Sequence, residues 1–273
     1  MIATIGITFK VQNMIYFPPI KTRRLNLELK ELTISQSVYL ASMPTGNDEQ
    51  EITKFLNFVI VDQGGGISDP LKMTVQERNL LVAQYLSATN EEGADFDIGD
   101  NAKYSDYLDG EVDIEHADSP IFMAEIEGDK WCVQHLTGKM AETIERLKGE
   151  IKGADNEPIS PYFHWLLGTM AAQLTIEGEV IPEIAGEYEE FIFKRMKVFA
   201  NYPESVFSQL LFVLKEGQER LHHFFTIEID RINGGYAIAN KGGAAESRDL
   251  PLVKFPVRTC IGPLAQGMGK SSS

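Results

Sequence analysis

SPYFHWLLGTMAAQL, residues Ser160–Leu174, is the most uniformly apolar helical pattern in this 273-residue chain. Ser160 followed by Pro161 is a good helix start, because the hydroxyl can cap free amides and proline's fixed φ suits a first turn. From Phe163 to Leu174 apolar side chains point in nearly every direction around the helical period, leaving no face for water. The pattern predicts a central, buried helix around which the neighbouring segments must pack.

Working outward, Trp131 and Val133 alternate as a short strand, with Leu136 the next apolar position. Met140, Ile144 and Leu147 then share one face of a helix with a Glu142–Arg146 pair one turn apart. Downstream, Tyr188, Phe191, Ile192, Met196 and Phe199 mark an amphipathic helix with a Glu-rich entry and a Lys/Arg-rich exit, matching the helix dipole. Asn201 and Pro203 open another helix through Val206, Phe207, Leu210, Leu211 and Leu214. Phe225, Ile227 and Ile229 alternate into Asn233-Gly234-Gly235 and out through Tyr236 and Ile238, a hairpin signal.

The N-terminal part begins with period-two alternation at Ile5, Ile7, Phe9 and Val11. It breaks at Pro18-Pro19 and alternates again at Leu25, Leu27 and Leu29, predicting a β-hairpin or arm. Asn47 with Gln50 forms a capping-box pattern ahead of Ile52, Phe55, Leu56, Val59 and Ile60, and Gly64-Gly65-Gly66 ends that helix. Thr74 with Glu77 repeats the pattern ahead of Leu81, Val82, Tyr85 and Leu86. After Asn240, Pro251, Pro256 and Pro263 separate short apolar pieces, which predicts an extended tail ordered by a neighbour. The expected class is α+β: a mainly helical body, an N-terminal β-hairpin or arm, a hairpin in the C-terminal half and an extended C-terminal tail. The expected divisions are an arm with helices over 1–88, an acidic loop insertion over 89–129, a helical body with its hairpin over 130–239, and the tail over 240–273.

Charge sets the function classes. Residues 89–129 carry fourteen carboxylates and one cation, Lys103, while the remainder balances 24 basic against 26 acidic residues. Such a block repels itself and suits a solvated loop or a basic partner. With net charge −15, non-specific nucleic-acid binding is excluded for want of clustered Lys and Arg. No apolar run is long enough to span a membrane, and the start lacks a signal-peptide pattern, so synthesis in the cytoplasm is expected. Cys132 and Cys260 stand far apart and read as reduced thiols, not as a disulfide framework.

Several motifs tempt and fail. Gly269-Lys270-Ser271 imitates the end of a phosphate loop, but Leu264 stands where its first glycine belongs. Cys132 and His135 have a metal-ligand spacing without a second pair. Asp95, Asp97 and Asp100 start like a calcium loop, with Gly99 at a ligand position and Asp100 where the turn glycine belongs. Neither a nucleophile elbow nor a recognisable catalytic cysteine is present. The expectation is therefore a non-enzyme, with no catalytic, cofactor-binding or metal-ligating residues. The candidate interface residues are Ile5, Ile7, Phe9 and Val11 at the start, and Leu252, Val253, Phe255, Val257 and Ile261 in the tail, which are too apolar for an idle linker.

Over residues 15–110, the run Phe17-Pro18-Pro19, Leu27-Glu28-Leu29-Lys30-Glu31-Leu32-Thr33-Ile34, Thr74-Val75-Gln76-Glu77-Arg78, Asp95-Phe96 and Tyr104–Leu108 resembles the baseplate and tail-assembly proteins of long-tailed bacteriophages. The resemblance implies a virion structural protein of the tail tip or baseplate, acting without catalysis. It also implies contacts with several copies of other tail proteins in a symmetric assembly. Two alternatives stand beside it: a tail-assembly chaperone outside the virion that shields a tape-measure-like partner, and a metal-dependent hydrolase using the acidic segment.

Overall fold

The computed structural model describes residues 15–90, 93–99, 102–109, 118–241 and 250–269. Among these, eight α-helices are combined with small antiparallel sheets, an α+β architecture. The strands β1 (Ile20–Lys21), β2 (Asn26–Leu29) and β3 (Ile60–Asp62) form one sheet in that order, with Leu27 opposite Ile20 on one side and Asp62 on the other. Helices α1 (Ile34–Ala41), α2 (Asp48–Val59) and α3 (Val75–Thr89) cover it. Period-two alternation sends Leu25, Leu27 and Leu29 inward. They meet Phe55, Leu56, Leu81 and Tyr85 in a first core, where Tyr85 stacks on Phe17 and meets the edge of Phe55.

The acidic stretch divides its residues by chemistry. Around the short pair β4 (Asp97–Gly99) and β5 (Ala102–Lys103), Phe96, Ala102, Tyr104 and Tyr107 are buried in the first core, so this stretch is more than a solvated insertion. Its described carboxylates stay at the surface: Asp95, Asp97, Asp118, Glu125, Glu127 and Asp129 are exposed, and Asp106 and Asp109 are half-buried. Aromatic burial drives the packing, and the charges keep their water.

A second sheet takes β6 (Ile121–Ile126), β7 (Asp129–Val133) and β8 (Leu174–Ile176), so the expected boundary at 129/130 falls within a hairpin. Helices α4 (Gly138–Arg146), α5 (Pro161–Gln173), α6 (Ala185–Ala200) and α7 (Glu204–Arg220) complete a second core. The helix expected to be central is so: Trp165 to Gln173 are all buried, and the Ser160 hydroxyl accepts from the Phe163 amide at 3.1 Å. Gly168 lets α4 approach, since a Cβ there would collide with the Ile144 side chain. The hairpin β9 (Thr226–Ile229) and β10 (Tyr236–Ala239) pairs Tyr236 with Ile229.

The tail corrects the expectation. Val253 exchanges backbone hydrogen bonds with Ile238 at 2.7 and 2.9 Å, which adds a third strand-like segment to the hairpin. Phe255 lies edge-on to Phe96 and Tyr104, and Val257 and Ile261 are buried beside it in the first core. The prolines do not forbid helix here. Pro256 precedes a short 3-10 turn (Val257–Cys260), and Pro263 sits at the first position of α8 (Pro263–Gly269), where a missing N–H costs nothing. The first core is thus assembled from residues 17–107 and 224–265, and most of the second core lies between those two parts in sequence.

Leu167→Ala, at a site with no exposure, is expected to lower unfolding free energy in urea by about 2–5 kcal/mol through the cavity it leaves. Phe255→Ala should cost about 3–5 kcal/mol in the isolated chain. A loss under about 1 kcal/mol at Phe255 would mean that the tail contributes little to the chain's own core.

Candidate functional site: a buried polar junction between the two cores

Helix α2 begins with Asp48, Glu49 and Glu51 in its first turn, beside amides that have no partner within the helix. The Asn47 side chain, expected to cap them, makes no capping bond. The cap comes from the second core: Glu145 on α4 accepts from the Glu49 amide at 2.9 Å and the Gln50 amide at 3.2 Å, one with each carboxylate oxygen. A carboxylate at a helix N-terminus is favoured by the helix dipole as well as by these bonds.

Arg78, projecting from α3, completes the junction. It is 1% exposed. Its guanidinium donates to the Glu49 carbonyl at 2.6 Å and the Thr53 hydroxyl at 3.0 Å, and lies 3.2 Å from the Glu49 carboxylate. Gly138, at the start of α4, makes room for it, because a Cβ would meet the guanidinium and the Pro70 carbonyl. On the other flank, Arg258 donates to Glu51 at 2.9 Å and to the Met43 carbonyl at 2.6 Å, which ties the tail to α2.

A second polar thread runs through the start of α3. The Thr74 and Glu77 capping box forms as expected, and Arg24 lies 3.3 Å from Glu77. The Thr74 hydroxyl is 2.7 Å from Nε2 of His223, whose Nδ1 is 2.9 Å from the Leu221 carbonyl. A carbonyl only accepts, so in the neutral ring Nδ1 carries the proton and Nε2 accepts from Thr74. His223 is fully buried and meets His135 edge-on at 5.1 Å. The pairing is hydroxyl to imidazole, but both residues are fully buried.

Burial governs the carboxyl chemistry. Desolvation pushes Glu145 up to about 7, against the pull of its two amides, with Glu49 and Asp48 adding repulsion. Desolvation also raises Glu49 despite Arg78, and Glu51 despite Arg258. A cavity of about 280 Å³ opens beside all three, walled by Trp165 and Tyr236 and flanked by Lys148 and Lys254. Each carboxylate is engaged: Glu49 by Arg78, Glu51 by Arg258 and Glu145 by the α2 amides. The arrangement cross-links α2, α3, α4 and the tail.

Of the residues singled out in sequence, Phe255 and Val257 border the cavity at this junction. Ile5, Ile7, Phe9 and Val11 fall outside the described residues. Leu252 is exposed, whereas Val253, Phe255, Val257 and Ile261 are buried in the chain's own core and present no free interface, which corrects that expectation. Asp97 folds back on the Gly99 amide at 2.8 Å, and Asp95 accepts from the Ser105 amide and hydroxyl at 2.8 and 3.1 Å. Among the described residues no group of three His, Cys, Asp or Glu side chains is arranged to hold a metal ion. Sequence reasoning missed Arg78 and Glu145. The available signal was Glu145 one turn after Ala141, on the stripe that α4 buries. A comparison of the chain with family models, with curated proteins and with solved structures finds no match.

Arg78→Ala should cost about 3–5 kcal/mol in urea unfolding, because it leaves Glu49 as an uncompensated buried charge. The double change Arg78→Met with Glu49→Gln should be milder than the single one, since it removes both charges together.

Proposed function

We propose that this chain is a structural component of a bacteriophage tail tip or baseplate, made in the host cytoplasm and retained in the virion. It acts through contacts with several copies of other tail proteins, without catalysis. The observation that carries this reading is a pair of helices with apolar side chains turned outward. On α1, Ile34 and Tyr39 are 54% and 47% exposed, and on α8, which packs against α1, Leu264 and Met268 are 66% and 59% exposed. Large apolar side chains on neighbouring exposed helices suit burial by another subunit better than contact with water. The resemblance over residues 15–110 supports the same reading, and the surface carboxylates of the acidic stretch suit a basic neighbour. The tight cross-linking of the two cores supplies the rigidity that a scaffold requires.

Mass spectrometry of purified phage particles should find the chain at a fixed ratio to known tail proteins. Absence from particles, with recovery bound to a tape-measure-like protein during assembly, would replace this reading with the chaperone alternative. Ile34→Glu with Leu264→Glu should leave the melting temperature within a few degrees while abolishing incorporation. Unchanged incorporation would remove the α1/α8 face from the argument.

A further inference from the structure

The cavity of about 280 Å³ beside the junction is bordered by polar groups that the cross-link does not use. Asn79 on α3 and Trp165 on α5 both line it, at 9% and 5% exposure. Asn79 donates from Nδ2 to the Val75 carbonyl at 2.9 Å, one turn back on its own helix, and its Oδ1 has no hydrogen-bond partner among the described residues. The indole N–H of Trp165 has none there either. Buried donors and acceptors are nearly always satisfied, so an open donor and an open acceptor on one cavity point to a molecule that completes them. Water would satisfy these two groups, yet it gains nothing from the apolar part of the wall. Trp165 and Tyr236 meet edge to face there with centroids 5.0 Å apart, and Phe255 stands beside them. The Tyr236 hydroxyl is already bonded to Thr169 at 2.9 Å, which leaves its ring to the cavity. The β9–β10 turn closes the rim: Gly234, at φ 71°, lies so near Trp165 that a Cβ would collide with the indole.

We propose that this cavity binds a neutral sugar as a single ring. Its volume lies just under the range of about 300–1,000 Å³ that holds drug-sized ligands, which limits the occupant to something smaller. Charge decides the class. Asp48, Glu49, Glu51 and Glu145 border the cavity, while Arg78 answers Glu49, Arg258 answers Glu51, and Lys148 and Lys254 stand in the wall, with Asp230 3.5 Å from Lys254. An anionic ligand would meet Asp48 and Glu145. A cationic one would meet the exposed Lys148, whose ammonium has no ion pair among the described residues. A sugar avoids both conflicts, because each hydroxyl donates and accepts. One hydroxyl can accept from the Trp165 N–H and another can donate to Asn79 Oδ1. Others can donate to the remaining lone pairs of Glu145, whose two oxygens each take one α2 amide. The C–H groups of the ring then pack against the aromatic side chains, where apolar contact and a polar edge are both needed. This site is independent of the assembly role.

The chain has two tryptophans, so the full-length protein labelled with nitrogen-15 shows two indole signals, assigned with Trp131→Phe. D-glucose, D-galactose, D-mannose and N-acetyl-D-glucosamine are titrated separately. At least one should move the Trp165 indole signal saturably, with a Kd below about 10 mM, while Trp131, in the second core, stays in place. The ammonium form of D-glucosamine and the anion D-glucuronate should bind more weakly than the best neutral sugar. In Asn79→Ala that sugar's Kd should rise about tenfold. No saturable shift with any of the four, tighter binding by either charged sugar, or an unchanged Kd in Asn79→Ala would each overturn the proposal. Should Asn79→Ala fail to fold, the wild type decides: a shift confined to Trp165 supports the site, and one shared with Trp131 or absent from Trp165 overturns it.

Discussion

One buried guanidinium organises this structure. Arg78, at 1% exposure, exchanges water for the Glu49 carboxylate, the Glu49 carbonyl and the Thr53 hydroxyl, while its Nε has no hydrogen-bond partner among the described residues. Holding Glu49 in that position sets the start of α2, and the open amides of that start are what Glu145 reaches from the second core. Gly138 exists in the same relation, as the gap through which the arginine passes. Arg78 thus joins α3 to α2, and Glu145 joins α4 to the same helix start.

The two cores differ in how they were built. The second is close to the local pattern: amphipathic helices in series around an apolar one, with short connections. The first is non-local, closed by aromatic residues from an acidic stretch and by a segment that arrives after the second core is finished. Phe96 and Tyr104, close together in sequence, meet the distant Phe255 there, and hydrophobic burial is non-directional enough to accept residues from any source.

That contrast explains how far the sequence could be read. Periodicity reports which side of an element is apolar, so α3, α5, α6, α7 and the β9–β10 hairpin were visible from their own residues, as was the Thr74–Glu77 box. It does not report what the apolar side meets. Prolines read from the sequence as breaks, yet Pro256 precedes a 3-10 turn and Pro263 opens a helix, where the missing N–H is tolerated. The Asn47–Gln50 pattern misled for the same reason: a better acceptor, Glu145, is brought to those amides by tertiary structure, and local side chains cannot compete with a carboxylate at 2.9 Å. The junction itself left almost no mark, because a lone Arg or Glu on a buried stripe looks like any surface charge until its partner is in place.

The interleaving of the cores has a consequence for how the chain leaves the ribosome. The second core has all but its closing hairpin once residues near 221 have emerged, whereas the first waits for Val253, Phe255 and Val257. For the interval between, the sheet of β1, β2 and β3 has helices over it but lacks its last aromatic layer, and apolar surface stands open on the nascent chain. Slow closure of long-range contacts is the usual source of misassembly. The surface carboxylates spaced through the acidic stretch are well placed to keep that half-built core from joining another like it.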